Sequence, residues 1–157
     1  MSSGKYVYIQ YADLEYDQNS VFEMYKISEN NNLDAVFGSR FKNQIKLSSN
    51  LLKILIHRPS YLATFICTFL INFFYDKNFK DIIGGKFYKL ESVKKINFDS
   101  KGPGFDFEFV SKLCKYSFKI GEIFVKYIPR ENSKEKKIKP YHMINALYQI
   151  FKVKFFN

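Results

Sequence analysis

The chain is poor in the residues that staple or metallate small folds. Two cysteines, Cys67 and Cys114, stand far apart in apolar, helix-like runs with no CxxC spacing. The opening residues do not read as a secretory leader, so neither a disulfide scaffold nor a zinc ribbon is expected. The two histidines, His57 and His142, lack partner spacing for zinc, and Ser60 has no nearby His-Asp signature. Metal-hydrolase and serine-hydrolase readings are therefore poor. Long apolar runs are also missing. The longest, Tyr61 to Tyr75, has 15 residues and includes Thr64, Thr68 and Asn72, short of the roughly 20 that a spanning helix needs. No internal repeat or low-complexity segment stands out.

Acidic residues are scarce as well: 15 Asp and Glu face 25 Lys and Arg, for a net charge of +10. The excess is uneven. Residues 1–75 carry 7 basic and 6 acidic side chains, whereas residues 76–157 carry 18 and 9. The basic half calls for an anionic partner, and nucleic acid, a phosphorylated metabolite and an anionic membrane all satisfy that demand. What the chain has in abundance is apolar bulk, with 18 Phe and 12 Tyr among 157 residues. That is enough to offset the entropy lost on folding, so one folded domain, or part of one, is expected over residues 1–157.

Pattern and punctuation predict a β-loop-α-β opening. Lys5 to Gln10 reads as a strand running into the acidic residues Asp13, Glu15 and Asp17. Ser20 to Glu29 has helical spacing and Ala35 to Phe37 is a short strand. Leu47 to Ile56 and Tyr61 to Tyr75 read as helices separated by His57-Arg58-Pro59. The second, apolar on nearly every face, must be buried in a core or rest against lipid. Lys86 to Lys89 is a strand, Asp106 to Tyr116 a helix with its charges matched to the dipole, and Phe118 to Ile128 a strand with Gly121 as a bulge candidate. A basic connector, Ser133 to Lys139, leads to Pro140 and a last helix through Met143, Leu147, Ile150 and Phe151.

The segment with most chemistry is Ile9 to Asp17, IQYADLEYD. Carboxylates at alternating positions just after a strand can converge on a hard cation such as Mg2+ or Mn2+, or they can form a solvated acidic loop. From Gly4 the stretch reads GKYVYIQYADLEYD, AVFGSRF follows at Ala35 to Phe41, and a spaced Asp, Gly, aromatic and basic pattern runs from Asp81 to Lys89. GFDFEFVSKL at Gly104 to Leu113, FKIGEIFVKYIPR at Phe118 to Arg130 and KEKKI at Lys134 to Ile138 complete the series.

In this order the segments resemble family 2 glycosyltransferases of the dolichol-phosphate mannosyltransferase-like and bacterial polyprenyl-phosphate sugar transferase type. The resemblance implies an α/β fold, the latter part of a GT-A, Rossmann-like domain with flanking helices. It also implies transfer of a sugar from a nucleotide-sugar donor to a polyprenyl-phosphate acceptor with inversion at the anomeric carbon. Such a reaction needs the developing charge on the leaving diphosphate stabilised and the acceptor oxygen held in line. An acceptor phosphate is already ionised, so no strong general base is required.

On this resemblance Asp13, with Glu15 as a second carboxylate or as a solvent-facing one, would hold Mg2+ or Mn2+ against the donor diphosphate. Arg40 would fork onto a phosphate or serve as a structural ion-pair partner, and Arg58 with Ser60 would meet the acceptor phosphate. Arg130, Lys134, Lys136 and Lys137 would close over the diphosphate, or form a solvated connector. Asp106 and Glu108 are second-tier candidates that also suit a helix start. Two departures stand out. Tyr11 occupies the place of the leading Asp of the family's D-x-D. The family's earlier βα units, with their V-I-P-x-Y-N-E and D-D-G-S type motifs, have no counterpart, so the chain is expected to be inactive alone unless another chain supplies a complementary N-terminal half.

Two other classes of function compete. A basic nucleic-acid module is disfavoured because the aromatics fall in core patterns without an RNA-binding signature, so nucleic acid is not an expected partner. A membrane-surface partner, anchored by the 61–75 helix with Phe69, Phe73 and Phe74, is compatible with the transferase reading and implies a peripheral position at the cytoplasmic membrane face.

Overall fold

The computed structural model describes residues 3–11, 15–42, 59–100, 102–128 and 142–156. In chain order its elements are β1 (Tyr6–Ile9), α1 (Ser20–Asn30), β2 (Ala35–Ser39), α2 (Pro59–Tyr75), β3 (Lys86–Lys89), α3 (Leu90–Lys94), α4 (Phe105–Lys115), β4 (Ile120–Phe124) and α5 (His142–Phe155). The class is mixed α/β, as the pattern predicts. The helix expected over Leu47 to Ile56 lies outside the described residues.

The strands form one sheet in the order β1-β3-β2-β4. β3 runs antiparallel to β1 and β2, while β2 and β4 are parallel. Consequently β1, β2 and β4 all point the same way. β2 is buried at every position, which is why AVFGS reads as an unbroken small and apolar run.

Helices cover both faces of the sheet. Ala35 and Phe37 of β2 face a core shared with α2, α4 and α5, including Cys67, Ile71, Phe109, Leu113 and Ile150. Val36 and Phe87 face the opposite way, against Met24 of α1, Ile123 and Val125. α1 meets the sheet through Ser20, Met24 and Ser28, spaced by four, so its small residues permit a close approach. α4 is buried from Phe107 to Cys114, sandwiched in the larger core.

Two expectations need correction. Gly121 is not a bulge: it sits in regular register opposite Val36, and an added Cβ would come within 2.5 Å of Leu33, so its smallness serves packing. β4 is also shorter than the predicted Phe118 to Ile128. The chain leaves the ladder after Phe124 and makes one isolated bridge, Tyr127 with Tyr16.

Candidate functional site

Because three strands are parallel, their carboxyl ends share one edge of the sheet, where open α/β sheets build ligand sites. Tyr11 follows β1, Arg40 follows β2, Tyr127 follows β4, and β3 starts at that same edge with Lys86. Three linked clusters result.

The first surrounds Lys86, whose side chain is wholly buried. Its ammonium lies 2.7 Å from Asp106 Oδ1 and donates to Gly84 O at 3.3 Å and to the Tyr11 hydroxyl at 3.4 Å. Tyr11 in turn donates to Asp106 Oδ2 at 3.0 Å. Burial by itself would lower the Lys86 pKa, but the Asp106 carboxylate and Tyr11 raise it above the ordinary lysine value. Burial chiefly pushes the Tyr11 phenol up to about 12. Tyr11 is therefore a neutral hydrogen-bond donor at neutral pH rather than an anionic cation ligand.

The second cluster joins Arg40, Asp81 and Glu122. Arg40 grips Asp81 bidentately, Nε to Oδ2 at 2.6 Å and Nη2 to Oδ1 at 3.0 Å, and its backbone N–H also reaches Oδ2 at 3.2 Å. Both side chains are nearly inaccessible. Burial opposes the Arg40 charge, and Asp81 more than restores it, raising the pKa. Asp81 Oδ1 also accepts from Ile83 N–H. Glu122 accepts the backbone N–H groups of Lys80 and Asp81 at 2.9 and 2.8 Å, so β4 anchors the loop that carries Asp81. Burial pushes the Glu122 carboxyl up, against the pull of those two N–H groups.

The third is aromatic. The Arg40 guanidinium lies over the rings of Tyr61, Phe41 and Tyr127 at 5.0, 5.6 and 5.6 Å. Tyr127 donates to Glu15 Oε2 at 2.8 Å. Burial, then the bonds to Tyr61 and Glu15, raise the Tyr127 pKa. Beside this group a depression of about 290 Å³ is lined by Glu15, Tyr16, Asp17, Lys126 and Ile128.

Of the residues singled out from sequence, Glu15 and Arg40 meet through Tyr127. Asp13, Arg58, Arg130, Lys134, Lys136 and Lys137 lie outside the described residues, and Ser60 falls in the first turn of α2. Asp106 belongs to the Lys86 cluster. Glu108 does not reach the sheet edge: it accepts from Asp99 N–H, Ser100 N–H and Lys112, at 3.0, 2.8 and 2.6 Å, and fastens the loop before α4. Among the described residues no three His, Cys, Asp or Glu side chains group as a metal site. Glu15 is an oxygen donor of the type a hard cation takes, whereas Tyr11 is not.

Lys86, Asp81, Glu122 and Tyr127 carry much of this site but were not assigned roles from sequence. A lysine in a short strand flanked by Gly84-Gly85 and Phe87 is the available signal, because buried lysine requires a carboxylate partner. The chain matches no family model, no curated protein and no solved structure.

Proposed function

We propose that the chain is a glycosyltransferase-related domain of GT-A type that transfers a sugar from a nucleotide-sugar to a polyprenyl phosphate when a complementary N-terminal half on another chain completes the donor site, and that is inactive alone. The observation that supports this most is the contact of Tyr127 with both Glu15 and Arg40. It joins Glu15, Arg40 and Tyr127, one from each of three motif-bearing segments, at one end of the sheet.

In this reading Arg58 and Ser60 meet the acceptor phosphate, while Arg40, nearly inaccessible and bidentate to Asp81, is the structural ion-pair partner that fixes the Asp81 loop at this end of the sheet. Arg130, Lys134, Lys136 and Lys137 neutralise the leaving diphosphate. Asp13 with Glu15 is the pair proposed for Mg2+ or Mn2+, which when bound supplies charge neutralisation at that diphosphate. Tyr11, Lys86 and Asp106 form a neutralised, hydrogen-bonded wall rather than a ligand set.

Calorimetric titration of UDP- and GDP-sugars in the presence of Mg2+ or Mn2+, together with radiolabel transfer to a polyprenyl phosphate, tests the reading. Binding heats that disappear in Asp13→Asn support it. The chain alone is expected to bind donor weakly and to transfer at background; absence of heats with every donor, or tight metal-dependent binding by the chain alone, overturns the reading.

A further inference from the structure

Two helices are apolar on two faces, only one of which packs into the core. α2 buries Cys67 and Ile71, yet Leu62, Phe69 and Phe73 are exposed along its other side, at spacings of seven and four. α5 buries Ala146, Ile150 and Val153. Its Ile144, Tyr148, Phe151 and Phe155 are exposed at spacings of four, three and four, and Phe156 follows at 84% exposure. These spacings define one stripe on each helix.

The stripes are joined by ring contacts. Phe69 stacks on Phe73 at 6.5 Å, Phe73 meets Phe74 at 5.7 Å, and Phe74 meets Phe151 and Phe155 edge-on at 5.4 and 5.8 Å. Scattered exposed apolar residues are ordinary on a protein surface, whereas a continuous aromatic band across two helices marks a contact surface.

Charge identifies its occupant. α2 contains no charged residue, and residues 142–156 contain no acidic one. At the rim, Lys154 donates to Phe74 O and lies over the Tyr75 ring, Lys115 donates to Val153 O, and Lys152 is held by Asp99. Lys152 is already neutralised by Asp99, but a second copy would bring the Lys115 and Lys154 rims together, whereas an anionic headgroup layer complements them.

We propose that α2 and α5 together form a platform that lies on an anionic lipid leaflet, with the aromatic band at the acyl boundary and the lysines among the headgroups. Among the described residues no helix is long and apolar enough to cross a membrane, so the contact is made in the plane of the leaflet. The platform does not depend on the transferase reading, and it adds α5 to the single anchoring helix expected from sequence. Phe74, also expected as an anchor, instead bridges the two stripes.

Flotation of the full chain with phosphatidylcholine vesicles, and with vesicles containing equal parts phosphatidylglycerol, tests the proposal. Wild type should float with the anionic vesicles, less so at high salt. Phe155→Ser/Phe156→Ser should reduce the bound fraction about tenfold while circular dichroism is unchanged, because both side chains are exposed at the helix end. Phe69→Ser/Phe73→Ser should act in the same direction from the other helix. Wild type that stays at the bottom of the gradient, or an α5 variant that floats as well as wild type, overturns the proposal. So does a dimer, seen in sedimentation without vesicle binding, that the α5 variant dissociates.

Discussion

Tyr127 ties Glu15 to Arg40: its hydroxyl donates to Glu15 Oε2 at 2.8 Å while its ring lies beneath the Arg40 guanidinium at 5.6 Å. The two contacts separate chemically, since phenylalanine keeps the ring and loses the hydroxyl. Glu15 is only 8% exposed, so water cannot readily replace the lost donor. Tyr127→Phe should cost about 1–2 kcal/mol in urea denaturation, whereas Tyr127→Ala, which also strips the ring from Arg40, should cost more. Equal losses in the two variants would show that the hydroxyl, not the ring, carries the tie.

The Lys86 cluster makes a sharper prediction. A buried ammonium and its carboxylate are mutually dependent, and removing one strands the other. Lys86→Met should destabilise the fold by about 3–5 kcal/mol, because Asp106 then lies beside Tyr11 without its cation. Adding Asp106→Asn to that variant should recover part of the loss. The interaction term of the double-mutant cycle measures the coupling, and a term near zero would refute this description of the pair.

Backbone proximity sets apart two glycines that look alike in sequence. A Cβ on Gly84 would fall 1.8 Å from Gly38 O, while one on Gly102 would meet nothing within 4 Å. Gly38 N–H also donates to Gly85 O at 2.8 Å, so these backbones are locked together. Gly84→Ala should therefore cost about 3 kcal/mol, the upper end for an overpacked site. Gly102→Ala should be neutral or stabilise by up to about 1 kcal/mol through the unfolded chain. Thermal melts of both variants check the contrast.

Most elements were legible because their patterns are local: β2 as a short apolar run, α2 as a long one, α4 as charges matched to a dipole. The C-terminal ends of α1, α2 and α4 fall within one residue of those expected from sequence, although Asn32, Asp76 and Ser117, rather than glycine, adopt the left-handed conformation there. At α1 and α4 the closing bonds, Leu33 N–H to Ser28 O and Phe118 N–H to Leu113 O, are those usually announced by glycine. The site was only half legible. Glu15 and Arg40 lie in contiguous motifs, but Lys86–Asp106 and Glu122–Asp81 pair residues 20 and 41 positions apart, and only the sheet order brings them together. α3, five residues long, carries too little periodicity to be seen at all.

The last prediction concerns alkaline stability. Cys67 and Cys114 are free and buried, and burial pushes both thiols up to about 12. In the unfolded chain a thiol ionises near about 8.5. An acid whose folded pKa exceeds its unfolded value stays protonated in the fold after the open chain has lost its proton. Stability from this source is thus intact below the unfolded value and falls as pH climbs toward the folded one. Tyr11 and Tyr75, each raised to about 12 chiefly by burial, add the same trend from about pH 10 upward. Unfolding free energy should therefore decline from about pH 9, at up to about 1.4 kcal/mol per pH unit for each thiol. Cys67→Ala should remove one thiol's share of that slope while leaving the tyrosine portion. Urea titrations at several alkaline pH values measure the slope directly, and an unchanged slope in Cys67→Ala/Cys114→Ala would mean that the thiols ionise as readily in the fold as outside it.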